Sequence, residues 1–164
     1  MNHSDASTSR TAPAFVGLLV WGGLTAAAAL FGSQFQAGPW YDEIAKPSWT
    51  PPSATFGIVW PILYVLMAIA AWMVWRTSGF RGATAALSLY VVQLVLNAAW
   101  PWLFFGEQLF GVAFGEIVVL WFAIIGTIIL FWRHNKWAGM MLLPYIAWVT
   151  FASALNFTIW QLNA

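Results

Sequence analysis

Residues 40–52, Trp40-Tyr41-Asp42-Glu43-Ile44-Ala45-Lys46-Pro47-Ser48-Trp49-Thr50-Pro51-Pro52, crowd three charges, three prolines and three aromatic rings between two long apolar runs. Pro47, Pro51 and Pro52 fix φ and remove backbone donors, so the stretch reads as a stiff, shaped loop that cannot be a helix. Its solvent follows from the rest of the chain, which is 62% hydrophobic and 7% charged, where a soluble domain carries about 25% charged residues. Such a composition is that of an integral membrane protein.

A bilayer core of about 30 Å needs about 20 apolar residues of helix. Segments 13–35, 54–75, 83–105, 109–132 and 138–161 meet that length. Backbone groups in lipid must be paired within their own helices, and every link but the first is short. The expected fold is therefore all-α, an up-and-down bundle of five transmembrane helices with a structured loop between helices 1 and 2. Residues 1–12 are polar, rich in Ser and Thr, and expected to be a disordered tail; residues 13–164 form a single membrane domain. Arg10 before an apolar run that ends in small residues from Ala26 to Ala29 also fits a cleaved secretory signal. Against that reading, the run exceeds the usual signal core of about 7–15 residues.

The net charge of +1 offers no footprint for nucleic acid. Cysteine is absent, and His3 and His134 lie in polar segments, so no metal site or required cofactor is indicated. With five spans, Arg10, Arg76, Arg81, Arg133 and Lys136 share one side, and Lys46 stands alone on the other. The positive-inside rule then expects a cytoplasmic amino terminus, with the first loop, Asp42, Glu43, Glu107 and the carboxyl terminus outside. A bacterial cell membrane is the expected location.

Trp40, Tyr41 and Trp49 suit an aromatic belt at headgroup depth, and they equally suit a lid over the outer end of the bundle. Beneath them, Tyr90, Gln93, Asn97, Trp100 and Phe104 recur at steps of three and four on the third helix. Tyr145, Trp148, Ala152 and Asn156 do so on the fifth, and Trp60, Tyr64, Met67 and Ala71 on the second. The amides of Gln93, Asn97 and Asn156 can glue helices together, or they can face a pocket under the loop. A pocket lined by tryptophan and tyrosine would take a flat, lipophilic, sparsely polar ligand.

The stretch at 40–52, followed by Phe56, Trp60, Leu63 and Tyr64, then QLVLNAAWPWLFF from Gln93 to Phe105 and LPYIAWVTFASALN from Leu143 to Asn156, resembles the TspO/MBR family of tryptophan-rich sensory and translocator proteins. The resemblance runs from about residue 38 to the end. It implies a homodimeric five-helix membrane receptor for porphyrins, notably protoporphyrin IX, with cholesterol and benzodiazepine-type drugs added in animal members. Carried onto this chain, the pocket comprises Trp60, Asn97, Trp100, Trp148 and Ala152, with Trp40 and Trp49 on the lid. Tyr64, Phe104 and Tyr145 complete the expected ligand-binding set from the helical stripes. No catalytic residue is named, because the spans hold no Ser-His-Asp arrangement and no paired carboxylates. Light-dependent degradation of porphyrin, reported in some members, is the second reading, and transport of tetrapyrroles or lipids the third.

The chain departs from the animal pattern near its end, where Phe157 and Gln161 replace the tyrosine and basic residue of the cholesterol-recognition segment. Glu116 falls inside the fourth span, as either a functional carboxyl or a protonated group near the helix end. Gly111 and Gly115 make a small-xxx-small pair. Pro61, Pro101 and Pro144 are expected to kink their helices.

Overall fold

The computed structural model describes residues 8–164, with side chains from Phe15 onward. Residues 1–7 of the expected tail lie outside the described residues. Helix α1 spans Thr8–Gly32, α3 Ser53–Gly82, α4 Thr84–Pro101, α5 Phe110–His134 and α7 Leu143–Leu162, with the short helices α2 (Trp40–Glu43) and α6 (Lys136–Met141) in the links. Among the described residues no strand occurs, and five helical segments are long and apolar enough to cross a membrane. These segments coincide with the expected spans to within a few residues, except that α3 continues well past residue 75.

Three local departures have clear causes. The loop is not wholly irregular: Trp40–Glu43 forms one helical turn behind Pro39, because the later prolines forbid helix only where they sit, and Pro39 pre-sets φ for the turn that follows. Helix α3 keeps helical angles through Pro61, and its break falls at Gly79, whose φ of 66° is open to glycine without strain. Pro144 lies in the first turn of α7, where its missing N–H costs nothing, so it starts that helix instead of bending it. Pro101 is followed by a π turn, Trp102–Gly106, which widens the end of α4 before the tight link to α5.

Packing arranges the spans in a ring in which α3 adjoins α1, α1 adjoins α4, α4 adjoins α5 and α5 adjoins α7. The first span is built into this ring. Trp21 lies edge-on to Tyr90 at 6.0 Å, and Thr25 donates to the Trp21 carbonyl at 2.7 Å while accepting from the Tyr90 hydroxyl at 2.6 Å. At the end away from the long loop, Ser78 of α3 meets His134 Nδ1 of α5 at 2.9 Å. Only α7 and α3 leave the ring unclosed: their backbones scarcely approach, although α3 touches the short α6.

The two glycines of the small-xxx-small pair do different work. A Cβ on Gly111 would sit 2.9 Å from Trp160 Cε2 of α7, whereas one on Gly115 would meet nothing within 4 Å. Gly111→Ala is therefore expected to lower stability by about 1–3 kcal/mol through overpacking. Gly115→Ala should hold or raise it by up to about 1 kcal/mol through helix propensity. Thermal unfolding of both variants in lipid nanodiscs checks the contrast.

Candidate ligand site between α3 and α7

In the middle of the bundle, the amides expected on α4 are tied to tyrosines of the neighbouring helices. Tyr64 of α3 donates to Asn97 Oδ1 at 2.6 Å, and Asn97 Nδ2 donates to the Tyr145 hydroxyl of α7 at 2.9 Å. Tyr145 in turn donates to Gln93 Oε1 at 2.9 Å. Gln93, Asn97 and Tyr145 are all buried. A second amide link lies nearer the loop, where Asn156 accepts from Trp100 Nε1 at 3.0 Å and donates to the Phe110 carbonyl at 2.9 Å. These bonds satisfy polar groups that lipid could not, and they tie α3, α4, α5 and α7 together.

Above this layer, rings bridge the gap that the backbones of α3 and α7 leave. Phe56 meets Trp148 at 5.5 Å and Trp60 meets Tyr145 at 6.4 Å, each pair edge to face. Trp60 also leans on Tyr64 at 5.6 Å. Trp148 continues to Phe151 at 5.5 Å, and Phe151 to Trp49 of the loop at 5.7 Å. Trp49 is 47% exposed, so it lies against Phe151 at the rim and not in the core. The indole N–H of Trp148 is buried and has no hydrogen-bond partner among the described residues. Ala152 is buried one turn beyond Trp148.

The remaining expected residues form a neighbouring ring group on the α4–α5 side. Trp100 stacks on Phe104 at 4.9 Å, and Trp40 lies 6.0 Å from Phe110 and 6.4 Å from Phe105. Tyr41 also packs on Phe105, at 5.7 Å. The two groups share one apolar cluster through Phe56, Phe151 and Trp100. Thus Trp49, Trp60, Tyr64, Asn97, Tyr145, Trp148 and Ala152 flank the cleft, while Trp40, Trp100 and Phe104 anchor the loop beside it. Phe56 and Phe151 were not among the expected ligand-binding residues. Their signal was present at one turn from Trp60 and three residues from Trp148, but single phenylalanines do not stand out in so apolar a chain.

Two hollows of about 400 Å³ and 430 Å³ lie elsewhere, on the outer flanks between α1 and α4 and between α5 and α7. Both are apolar grooves that face lipid by position, and neither touches the α3–α7 cleft. Glu116 of α5 has both carboxyl oxygens buried without a hydrogen-bond partner among the described residues. In the loop, Lys46 Nζ donates to the Tyr41 carbonyl and sits 4.4 Å over its ring. Burial, and then the Asp42 carboxylate, raise the Tyr41 phenol above its ordinary value. Its neutral form thus supports the folded loop fully below the ordinary phenol pKa of about 10, and that support is lost as pH rises through the folded value.

Residues 15–161 match the model of the TspO/MBR family. The chain belongs to that family. It is 39% identical to protein CrtK of Rhodobacter capsulatus over 84% of this chain and 87% of that one. It is 41% identical to tryptophan-rich protein TspO of Chlorobaculum tepidum, over 86% and 92% respectively. With the human translocator protein it shares 36% identity over 80% of this chain and 81% of that one. As a family member with five spanning helices it is a multi-pass membrane protein.

The amide layer predicts a stability effect. Tyr145→Phe removes the hydroxyl between Asn97 and Gln93, leaving one buried donor and one buried acceptor unpaired. The expected loss is about 1–3 kcal/mol, the cost of stranded buried groups, and thermal unfolding in nanodiscs measures it. Thr158→Val, which removes only an exposed hydroxyl bonded to its own helix, should change little.

Proposed function

We propose that this protein is a membrane receptor of the sensory kind for planar lipophilic ligands, with protoporphyrin IX the leading candidate, and that the ligand enters the α3–α7 cleft. The observation that carries this reading is that α3 and α7 are bridged there by rings and not by close backbone packing. Side chains can rotate out of a gap that packed backbones could not open. A flat macrocycle entering between Phe56, Trp60 and Trp148 would exchange ring–ring contacts for ring–ligand contacts of the same kind. The Trp148 N–H, without a partner among the described residues, supplies a donor for a polar edge of such a ligand.

The names of relatives agree with this reading: tryptophan-rich sensory protein from Cereibacter sphaeroides, and translocator protein from human. A homodimer in a bacterial cell membrane, with the loop end outward, completes the proposal. The lipid-facing Gly22 and Gly23 leave open space for another helix to approach.

A titration in the dark tests it. Protoporphyrin IX is added to the protein in lipid nanodiscs and tryptophan fluorescence is followed. Saturable quenching, weakened about tenfold or more by Trp148→Ala, is expected from the loss of one large aromatic wall. Linear quenching identical in both proteins would show porphyrin partitioning into lipid and would overturn the assignment. Illumination of the same samples distinguishes a receptor, which leaves the porphyrin spectrum intact, from an enzyme that bleaches it in a Trp148-dependent way.

A further inference from the structure

The last turn of the chain touches the loop through one side chain. Asn163 Oδ1 accepts from the Ala45 N–H at 3.0 Å, and Asn163 Nδ2 donates to the Ala45 carbonyl at 2.9 Å. The same Nδ2 donates its other hydrogen to the Ile159 carbonyl at 2.7 Å, and the Asn163 N–H bonds the Ile159 and Trp160 carbonyls at 3.2 Å each. The carboxamide is thus fixed at the C-cap of α7 and mimics a peptide group, pairing with both the donor and the acceptor of one loop residue. Ala45 and Asn163 stand 118 residues apart, so the contact exists only in the folded protein.

Its position gives the contact a use. Ala45 is held at the end of α7, and eight residues later Ser53 opens α3. The segment between them, with Trp49 seated on Phe151, therefore crosses from the end of one cleft helix to the start of the other. Upstream, the loop is anchored separately, by Trp40 and Tyr41 against Phe105 and Phe110. Downstream, Pro47, Pro51 and Pro52 make the crossing segment stiff, and Lys46, which donates to the Tyr41 carbonyl, ties its start to the anchored turn, so once Ala45 is free the segment is suited to pivot there as a unit. Both latch bonds are solvent-exposed, where water replaces them readily, unlike the buried amide layer below.

We propose that Asn163 is the latch of a lid formed by residues 45–52, and that its release gates ligand passage into and out of the α3–α7 cleft. The gate rests on reading that cleft as the ligand site. The latch itself does not, and its test separates the two. The latch exists with or without ligand, so weakening it speeds entry and exit together and leaves affinity nearly unchanged. A residue that merely touched ligand would alter the exit rate and the affinity.

The experiment uses the full chain in nanodiscs, as wild type, Asn163→Ala and Asn163→Asp; Asn163 is exposed near the carboxyl terminus, so neither change disturbs the bundle. Amide hydrogen exchange is read first, without ligand. The Ala45 amide should exchange about tenfold faster in Asn163→Ala. The Tyr41 and Thr50 amides, bonded inside the loop to Gly38 and Pro47 carbonyls, should hold their rates. Asn163→Asp keeps the acceptor and loses the donor, so it should fall between. An unchanged Ala45 rate in Asn163→Ala would overturn the latch whatever the ligand. Stopped-flow quenching by protoporphyrin IX follows, with association and dissociation rates expected to rise by a similar factor. Faster exchange with unaltered binding rates would overturn the gate. Absence of saturable binding in the wild type would overturn the ligand-site reading and the gate with it, while the exchange result decides the latch.

Discussion

The hydroxyl of Tyr145, donating to Gln93 and accepting from Asn97, is the constraint on which the rest of the bundle turns. Lipid offers no partner for buried amides, so the two on α4 must be satisfied by neighbouring helices. Tyr145 supplies that partner from α7, and Tyr64 supplies a second from α3. The result is a polar girdle that holds three helices at one level. Towards the loop, α3 and α7 are then free to lie apart, with only rings between them. The girdle thus lies below a seam that side chains, and not backbones, fill.

Much of this was legible from sequence, for a physical reason. Lipid forces each span to satisfy its own backbone, so span number and approximate bounds follow from hydropathy alone, and the helical period then shows which residues share a face. Gln93, Asn97 and Trp100 could be placed on one stripe without knowledge of any neighbour. Which stripes meet is a tertiary matter. Gln93 and Asn97 read from sequence as either helix glue or pocket lining; the hydrogen bonds of Tyr64 and Tyr145 show the helix-joining part, which depends on where α3 and α7 stand and so has no local sequence signal. The grouping of Trp40 and Trp100 with the loop anchor, apart from Trp49 and Trp148, likewise depends on the way α4 packs on α5.

The features that sequence hid are those with weak local signals. Asn163 is one polar residue beside a chain end, and nothing within a few positions of it points to Ala45. Phe56 and Phe151 are two among 13 phenylalanines. The helical turn at Trp40–Glu43 was masked by the prolines after it, which govern only their own positions and the residues just before them. The Gly79 break lies where hydropathy falls off, and there α3 gains from Arg76 packing over Trp72 at 5.3 Å before the chain turns.

If the proposed site is used, the α3–α7 gap opens to admit a flat ligand while the other helix seams stay shut. The chain contains no cysteine, so spin labels can be placed on single cysteines at the exposed positions Gly57 of α3 and Ala154 of α7, with a control pair at Val92 of α4 and Val119 of α5. Pulsed electron paramagnetic resonance in nanodiscs would record both distances with and without protoporphyrin IX in the dark. A lengthening between α3 and α7 of about 3–4 Å is expected, roughly one ring thickness at van der Waals contact, with the α4–α5 distance unchanged. Saturable binding with no change between α3 and α7, or with the change appearing between α4 and α5, would contradict that opening.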